Sequence, residues 1–284
     1  MPMDAARAVA AEPRSREITW DHKDIQLYHL GIGAGLAATD PDELRYTLES
    51  RLQVLPSFAT VAGGEMALTT GLSAPGIEVD LAKVLHGGQT LTLHRPLPVR
   101  GSAVSTSRVL AVYDKGSAAV IVQRSEVADH SGPLWTSDSQ IFVRGAGGFG
   151  GERGPSVRSA LPDREPDRTE LRPVRPDQAL LYRLSGDWNP LHADPDFAER
   201  AGFDRPILHG LCSYGITLKA VVDTFLRGDV ARVDSYRTRF AGVVFPGETL
   251  RLRMWQSPGR VEVAVSAVER DDAPVLADTV VEHH

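Results

Sequence analysis

A chain of 284 residues is long enough for two domains of ordinary size or for one large fold, and 42% hydrophobic with 24% charged residues is an ordinary globular composition. A net charge of -6 and a pI near 5.9 speak against nucleic acid, whose phosphates call for a basic face. The single cysteine, Cys212, excludes an internal disulfide and a thiolate metal cluster and suits a reducing, cytoplasmic compartment, and no apolar run approaches the roughly 20 residues of a membrane helix.

In chain order, Met1–Arg16 is alanine-rich but carries Asp4, Arg7, Glu12, Pro13, Arg14 and Arg16. It lacks the apolar centre of a signal peptide and reads as a flexible tail, 1–16. Residues 17–145 form a first unit. A short helix and a loop precede alternating runs at Gln89–Leu93, Ser102–Val112 and Ala118–Val127, punctuated by Asp114-Lys115-Gly116. The Gly-, Pro- and charge-rich stretch 146–172 cannot bury enough apolar surface to order itself and is expected to be a surface linker.

Residues 173–284 repeat the plan. After a helix and an Asp-Pro loop comes the longest helical pattern, Gly210–Leu226, with Leu211, Tyr214, Leu218, Val221, Val222 and Phe225 on one face. Runs at Tyr236–Val244, Thr249–Trp255, Arg260–Val268 and Val275–Val281, separated by Pro246-Gly247 and Ser257-Pro258-Gly259, read as an antiparallel meander.

The halves also resemble each other in sequence. Tyr28 and Leu30 fall on Tyr182 and Leu184, and Asp40-Pro41-Asp42 on Asp194-Pro195-Asp196, all at an offset of 154. Two matches in one order favour duplication. The expectation is an α+β fold in which one long helix against an antiparallel sheet is made twice.

Chemistry concentrates in L-S-G-D-W-N-P-L-H, residues 184–192, where an acid, an amide and an imidazole share six residues of a loop. Adding water to a conjugated thioester needs a base for the water, an acid for C2 and donors for the enolate-like oxygen. Asp187 and His192 can share the two protons of one water, and Asn189 can hold that water or the loop. Gly210 opens the long helix, where unpaired N–H groups and the helix dipole can receive the thioester oxygen. His209 is read as structural.

The run Y-R-L-S-G-D-W-N-P-L-H-A-D-P-D-F-A, followed by A-G-F-D-R-P-I-L-H-G-L, resembles the hydratase 2 motif of the MaoC-like dehydratase family. In the first half, V-L-H-G-G-Q-T-L-T-L-H-R-P-L-P, V-Y-D-K-G-S-A-A-V-I-V and F-V-R-G-A-G-G-F-G-G are similar to the hydratase domain of peroxisomal multifunctional enzyme type 2. The likeness runs from about Leu27 to Val268. It implies a double hotdog fold, (R)-specific hydration of trans-2-enoyl-CoA in fatty-acid or other long or bulky acyl-CoA metabolism, and no cofactor or metal. Asp187, His192, Asn189 and Gly210 would be catalytic. His86, Gly87, Lys115, Trp188, Pro190, Leu191 and Phe240 would contact substrate, with Lys115 placed either to meet a coenzyme A phosphate or as a solvated hairpin lysine.

At the offset of 154 the catalytic trio falls on Gly33, Gly35 and Ala38, so the first half is expected to be catalytically silent. Its small residues from Gly31 to Ala38 either leave room for a long acyl chain or form a flexible turn. The chain closes on Val-Val-Glu-His-His rather than a peroxisomal tripeptide, which favours a cytoplasmic enzyme. A homodimer is expected, because hotdogs pair through edge strands. The alternatives are a thioesterase, a 3-hydroxyacyl-ACP dehydratase and a non-catalytic acyl-CoA binding protein.

Overall fold

The computed structural model describes residues 3–64, 69–155 and 160–284. Chain order runs through α1 (Ala5–Val9), β1 (Arg14–Trp20), α2 (His22–Gly31), α3 (Thr69–Leu72), β2 (Val84–Leu93), β3 (Gly101–Asp114), β4 (Ala118–Asp129) and β5 (Gly132–Arg144). The second half follows with β6 (Arg168–Pro173), α4 (Gln178–Tyr182), α5 (Pro195–Arg200), α6 (Gly210–Phe225), β7 (Val233–Phe240), β8 (Thr249–Ser257), β9 (Arg260–Ala267) and β10 (Ala273–His283).

All ten strands belong to one sheet in the order β1-β3-β4-β5-β2-β7-β10-β9-β8-β6. Every recorded pairing is antiparallel. Read outward from the β2–β7 seam, the two halves are mirror sequences of the same strand order, which is a double hotdog built by duplication. The seam aligns Gly88 through Thr92 with Arg239 through Ser235. Across the pseudo-twofold axis the repeat-related residues Tyr28 and Tyr182 touch, with ring centroids 6.0 Å apart.

Helix α6 is the axle of the second half. Its residues Cys212 through Val222 are all buried, the signature of a helix enclosed on every side. The sheet meets it with Leu250, Leu252, Met254, Val261, Val263 and Val265, alternate positions that point inward from β8 and β9. The one charge in its buried stretch, Lys219, is held by Glu43 at 2.6 Å and Asp223 at 2.8 Å, which ties α6 to a loop of the first half.

Three expectations are corrected. The segment read as a tail holds helix α1, capped by Asp4, and its Met3 and Ala8 are buried in a cluster with Val109, Ile121 and Ile141. Asp4, Arg7 and Glu12 are exposed, which is why composition alone suggested disorder. The segment read as a linker ends in strand β6, and two of its glycines are anchored. Asp114 accepts N–H bonds from Gly148 and Gly150 at 2.8 Å each, and these bonds hold its carboxyl down at about 2. Finally, among the described residues a helix as long as α6 is not made twice. In the stretch 56–72, which the offset of 154 places opposite α6, the described residues form a 3-10 turn, Pro56–Thr60, and the four-residue α3, with Gly63 and Gly64 at positive φ after the turn.

Candidate active site

The candidate loop leaves α4 through a 3-10 turn at Arg183–Ser185, and Gly186 at φ +119° reverses the chain in a conformation that L side chains avoid. Two nested side-chain turns then set the loop. Asp187 Oδ1 accepts the Asn189 N–H at 3.2 Å, and Asn189 Oδ1 accepts the Leu191 N–H at 3.1 Å. The second caps a 3-10 turn, Pro190–His192, that Pro190 starts with a preset φ. Leu191 is buried against Ala198 and Ile207 and pins the turn from below. The spacing Asp-x-Asn-x-x-His thus brings the carboxylate and the imidazole to one side of the loop.

His192 is 8% exposed. Its Nδ1 lies 2.8 Å from the Ile207 carbonyl oxygen, which can only accept, so Nδ1 carries the proton and Nε2 is the basic nitrogen. Burial lowers the pKa of His192, and the nearby Asp187 charge partly offsets this, so the ring is neutral at pH 7. Beneath it lies His209, stacked with centroids 3.7 Å apart. His209 Nε2 donates to the Asp187 carbonyl oxygen at 3.2 Å, and burial and then His192 push its pKa well down.

Side-chain ligand atoms of Asp187, His192 and His209 all lie within 4.8 Å of one another. Cys212 offers no alternative nucleophile, because burial drives its thiol pKa up.

Asp187, Asn189, Pro190, Leu191, His192, Gly210, His86 and Phe240 all line one cavity of about 610 Å³. The cavity spans the halves. Val61, Leu72, Leu81, Val84 and Leu85 close it from the first, and Ile207, Leu208, Val243, Val244 and Leu276 from the second. Gly210 begins α6 with no side-chain hydrogen bond on its cap residue. A Cβ on Gly210 would lie 3.0 Å from the Phe240 ring, so the glycine keeps the helix start approachable. Phe240 packs on His86 at 4.7 Å, and burial lowers the His86 pKa to about 4.

The other sequence candidates lie elsewhere. Gly87 sits in a β-bulge between His86 and Gly88, where a Cβ would crowd the Gln140 carbonyl at 3.2 Å. Trp188 is 56% exposed with the Arg183 guanidinium over its ring. Lys115 donates to the Pro155 carbonyl oxygen on the β3–β4 hairpin, whose Ala118 pairs with the cavity-lining Arg144. Neither Gly33 nor Ala38 lines the cavity. Ala38 is exposed and Gly33 faces Gln178, so the stretch from Gly31 to Ala38 is not the room for the acyl chain.

Sequence reasoning missed Tyr182, Gln89, Ser137 and Arg144 as cavity walls and His209 as the ring under His192. Only His209 left a trace, its place just before the helix-opening glycine. Asp223 is the one acid of α6. It sits 13 residues beyond Gly210, about 20 Å along the helix, and is engaged by Lys219 and Tyr46. No carboxylate of α6 therefore lies where a thioesterase would need one.

Comparison with known proteins finds relatives of both halves. Residues 158–273 match the profile described as MaoC like domain, and residues 18–145 match the MFE-2 hydratase 2 N-terminal domain. The chain is 47% identical to an enoyl-CoA hydratase of Mycobacterium tuberculosis over 98% of both chains. Among solved structures, a MaoC-like dehydratase from Phytophthora capsici superposes with a TM-score of 0.88 at 31% identity, covering 99% of this chain and 98% of that one. The full-length peroxisomal multifunctional enzyme type 2 of Drosophila melanogaster gives 0.81 at 34% identity, over 96% of this chain and 48% of that longer one.

Proposed function

The chain belongs to the MaoC-like dehydratase family, and on that premise we infer that it is a hydro-lyase, an (R)-specific enoyl-CoA hydratase that adds water to trans-2-enoyl-CoA and reverses the reaction as a dehydratase. The observation that carries this reading is the convergence of the Asp187 carboxylate and the basic Nε2 of His192 on the wall of the shared apolar cavity, beside the start of α6.

One water held between Asp187 and His192 supplies both new substituents. As its oxygen bonds to C3, the pair takes one proton, and the same pair returns a proton to C2, so nothing is consumed but water. Charge that builds on the thioester oxygen meets the backbone N–H groups at Gly210. His209 acts through His192 and Asp187 as a positioning residue, and Asn189 holds the loop. The silent first half encloses the acyl chain with Val61, Leu72, Leu81, Val84 and Leu85. Arg144 on the cavity wall and Lys115 on the neighbouring hairpin suit the phosphates of coenzyme A.

The reading extends to a cytoplasmic location and a homodimer; no described helix is long and apolar enough to cross a membrane. Loss of enoyl-thioester absorbance from crotonyl-CoA tests the chemistry, and chiral analysis of the product tests the handedness. An inactive, well-folded protein would leave only an acyl-CoA binder, and mainly 3S alcohol would overturn the facial assignment. Faster turnover of a crotonyl group on acyl carrier protein would favour the carrier-protein dehydratase.

A further inference from the structure

A second cavity of about 270 Å³ lies in the first half, and two of its wall residues, Thr60 and Ser137, also line the catalytic cavity. The two spaces therefore adjoin, with Thr60 and Ser137 as their common wall. Their linings differ in kind. Behind the catalytic residues the walls are aliphatic, whereas the annex is faced by Ser105, Ser107, Ser125 and Ser137, with Arg14 and Arg16 at its β1 side.

These serines form a belt. Ser107 pairs in register with Ser125, and Ser125 with Ser137, so one hydroxyl comes from each of β3, β4 and β5. Apolar clusters flank the belt on both sides: Ala103, Val127 and Trp135 on one, Val109, Ile121 and Ile141 on the other. In the second half the inner face of the corresponding strands carries Leu250, Leu252, Val263 and Val265 against α6.

A duplicated sheet has thus exchanged aliphatic side chains for hydroxyls on the half without the long helix. A methyl-ended alkyl chain gains nothing from such a wall, since it would strip water from the hydroxyls without replacing their hydrogen bonds. The belt bonds are internal in part, Ser107 to Ser125 at 2.7 Å and Gln89 to Ser137 at 2.7 Å. Ser125 also accepts from Gln123 Nε2 at 3.3 Å. Each hydroxyl can donate once and accept twice, so these partners leave capacity in the belt.

Building on the hydratase reading, we propose that the annex is a binding site for an oxygen function at the far end of the acyl group, a ketone or carboxylate that accepts from the serine belt. From β2 to β3 are three strand intervals, about 14 Å, a distance spanned by on the order of ten carbon–carbon bonds of ~1.5 Å. Substrates of this class are therefore long or ring-bearing enoyl-CoAs with a polar far end, and an oxygenation reaction must precede this one to install that group.

The test compares trans-2-dodecenoyl-CoA with counterparts of equal length ending in a carboxylate or a methyl ketone, with crotonyl-CoA as the short reference. The expected result is at least a tenfold higher kcat/KM for one oxygenated substrate over the methyl-ended one. The double variant Ser107→Ala/Ser125→Ala should erase that preference while crotonyl-CoA turnover stays within twofold. An equal or greater kcat/KM for the methyl-ended chain in the wild-type enzyme overturns the proposal, and so does a preference that survives in the folded double variant. Failure of crotonyl-CoA hydration itself would instead refute the catalytic reading, so the two outcomes are distinct.

Discussion

Gly210→Ala is the sharpest perturbation of the catalytic reading, because it adds one methyl group at the point proposed to receive the thioester oxygen. The added Cβ would lie 3.0 Å from both Cδ1 and Cε1 of Phe240, against 3.4 Å for ordinary contact, so the ring must give by about 0.4 Å. Phe240 lines the cavity and has open volume on that side, so the fold can absorb the shift. Gly210 does not have positive φ, and alanine is the better helix former by up to about 1 kcal/mol. Stability should hold or rise slightly. Activity should not, because the methyl group and the displaced ring stand between the thioester and the helix N–H groups. Loss of one such donor costs on the order of 10²–10³ in kcat. Crotonyl-CoA kinetics and a melting curve on the same preparation read both effects. A variant that melts like wild type yet keeps more than a tenth of its kcat/KM would show that the oxyanion does not form at this helix start.

Asp187→Asn and His192→Gln should each lower kcat by about 10²–10⁴, and the double variant should lose little more than the worse single one, because the two act on one water; additive losses measured in a double-mutant series would contradict a shared role. Val84→Phe places bulk on the first-half wall of the cavity, so it should reduce kcat/KM for dodecenoyl-CoA several-fold more than for crotonyl-CoA; equal losses would move the acyl chain elsewhere. Stability should fall with acid between pH 6.5 and about 4. His29 and His86 have folded pKa values lowered by burial to about 4, so over that window the unfolded chain binds more protons and stability rises with pH. For the fully buried His29 this is worth about 2 kcal/mol between pH 6.5 and 5, visible as a lower urea midpoint at pH 5 than at pH 7.

What the sequence revealed was what local rules govern. The loop from Gly186 to His192 and the helix from Gly210 depend on turn residues, caps and a 3.6-residue period, and both stand where those signals put them. The offset of 154 also held more than was read from it. It carries Arg14–Trp20 onto Arg168–Val174, and β1 and the strand β6 are the two outer edges of the sheet. Their charged and polar residues, Arg14, Ser15, Arg16 and Glu17 in one and Arg168, Thr169, Glu170 and Arg172 in the other, made the stretches around them look like tail and linker. The acyl room was misplaced for a different reason. Gly33 and Ala38 take the place of the catalytic pair in the alignment but lie away from the cavity, since the pairing of β2 with β7 brings other first-half residues to Asp187. The His192–His209 stack likewise comes from α6 folding back under the loop, a contact between segments 17 residues apart with no shared period.

The unbroken ladder from β2 to β7 gives the site independence from dilution. A cavity walled by two separate hotdogs would open as their association was lost, and its turnover per molecule would fall at low concentration. Here the partner wall travels on the same polypeptide, where tethering sets an effective concentration in the millimolar range. Each molecule therefore carries a whole reaction chamber. Because the two walls need not be identical copies, one could keep the acid and base while the other drifted toward a different acyl chemistry.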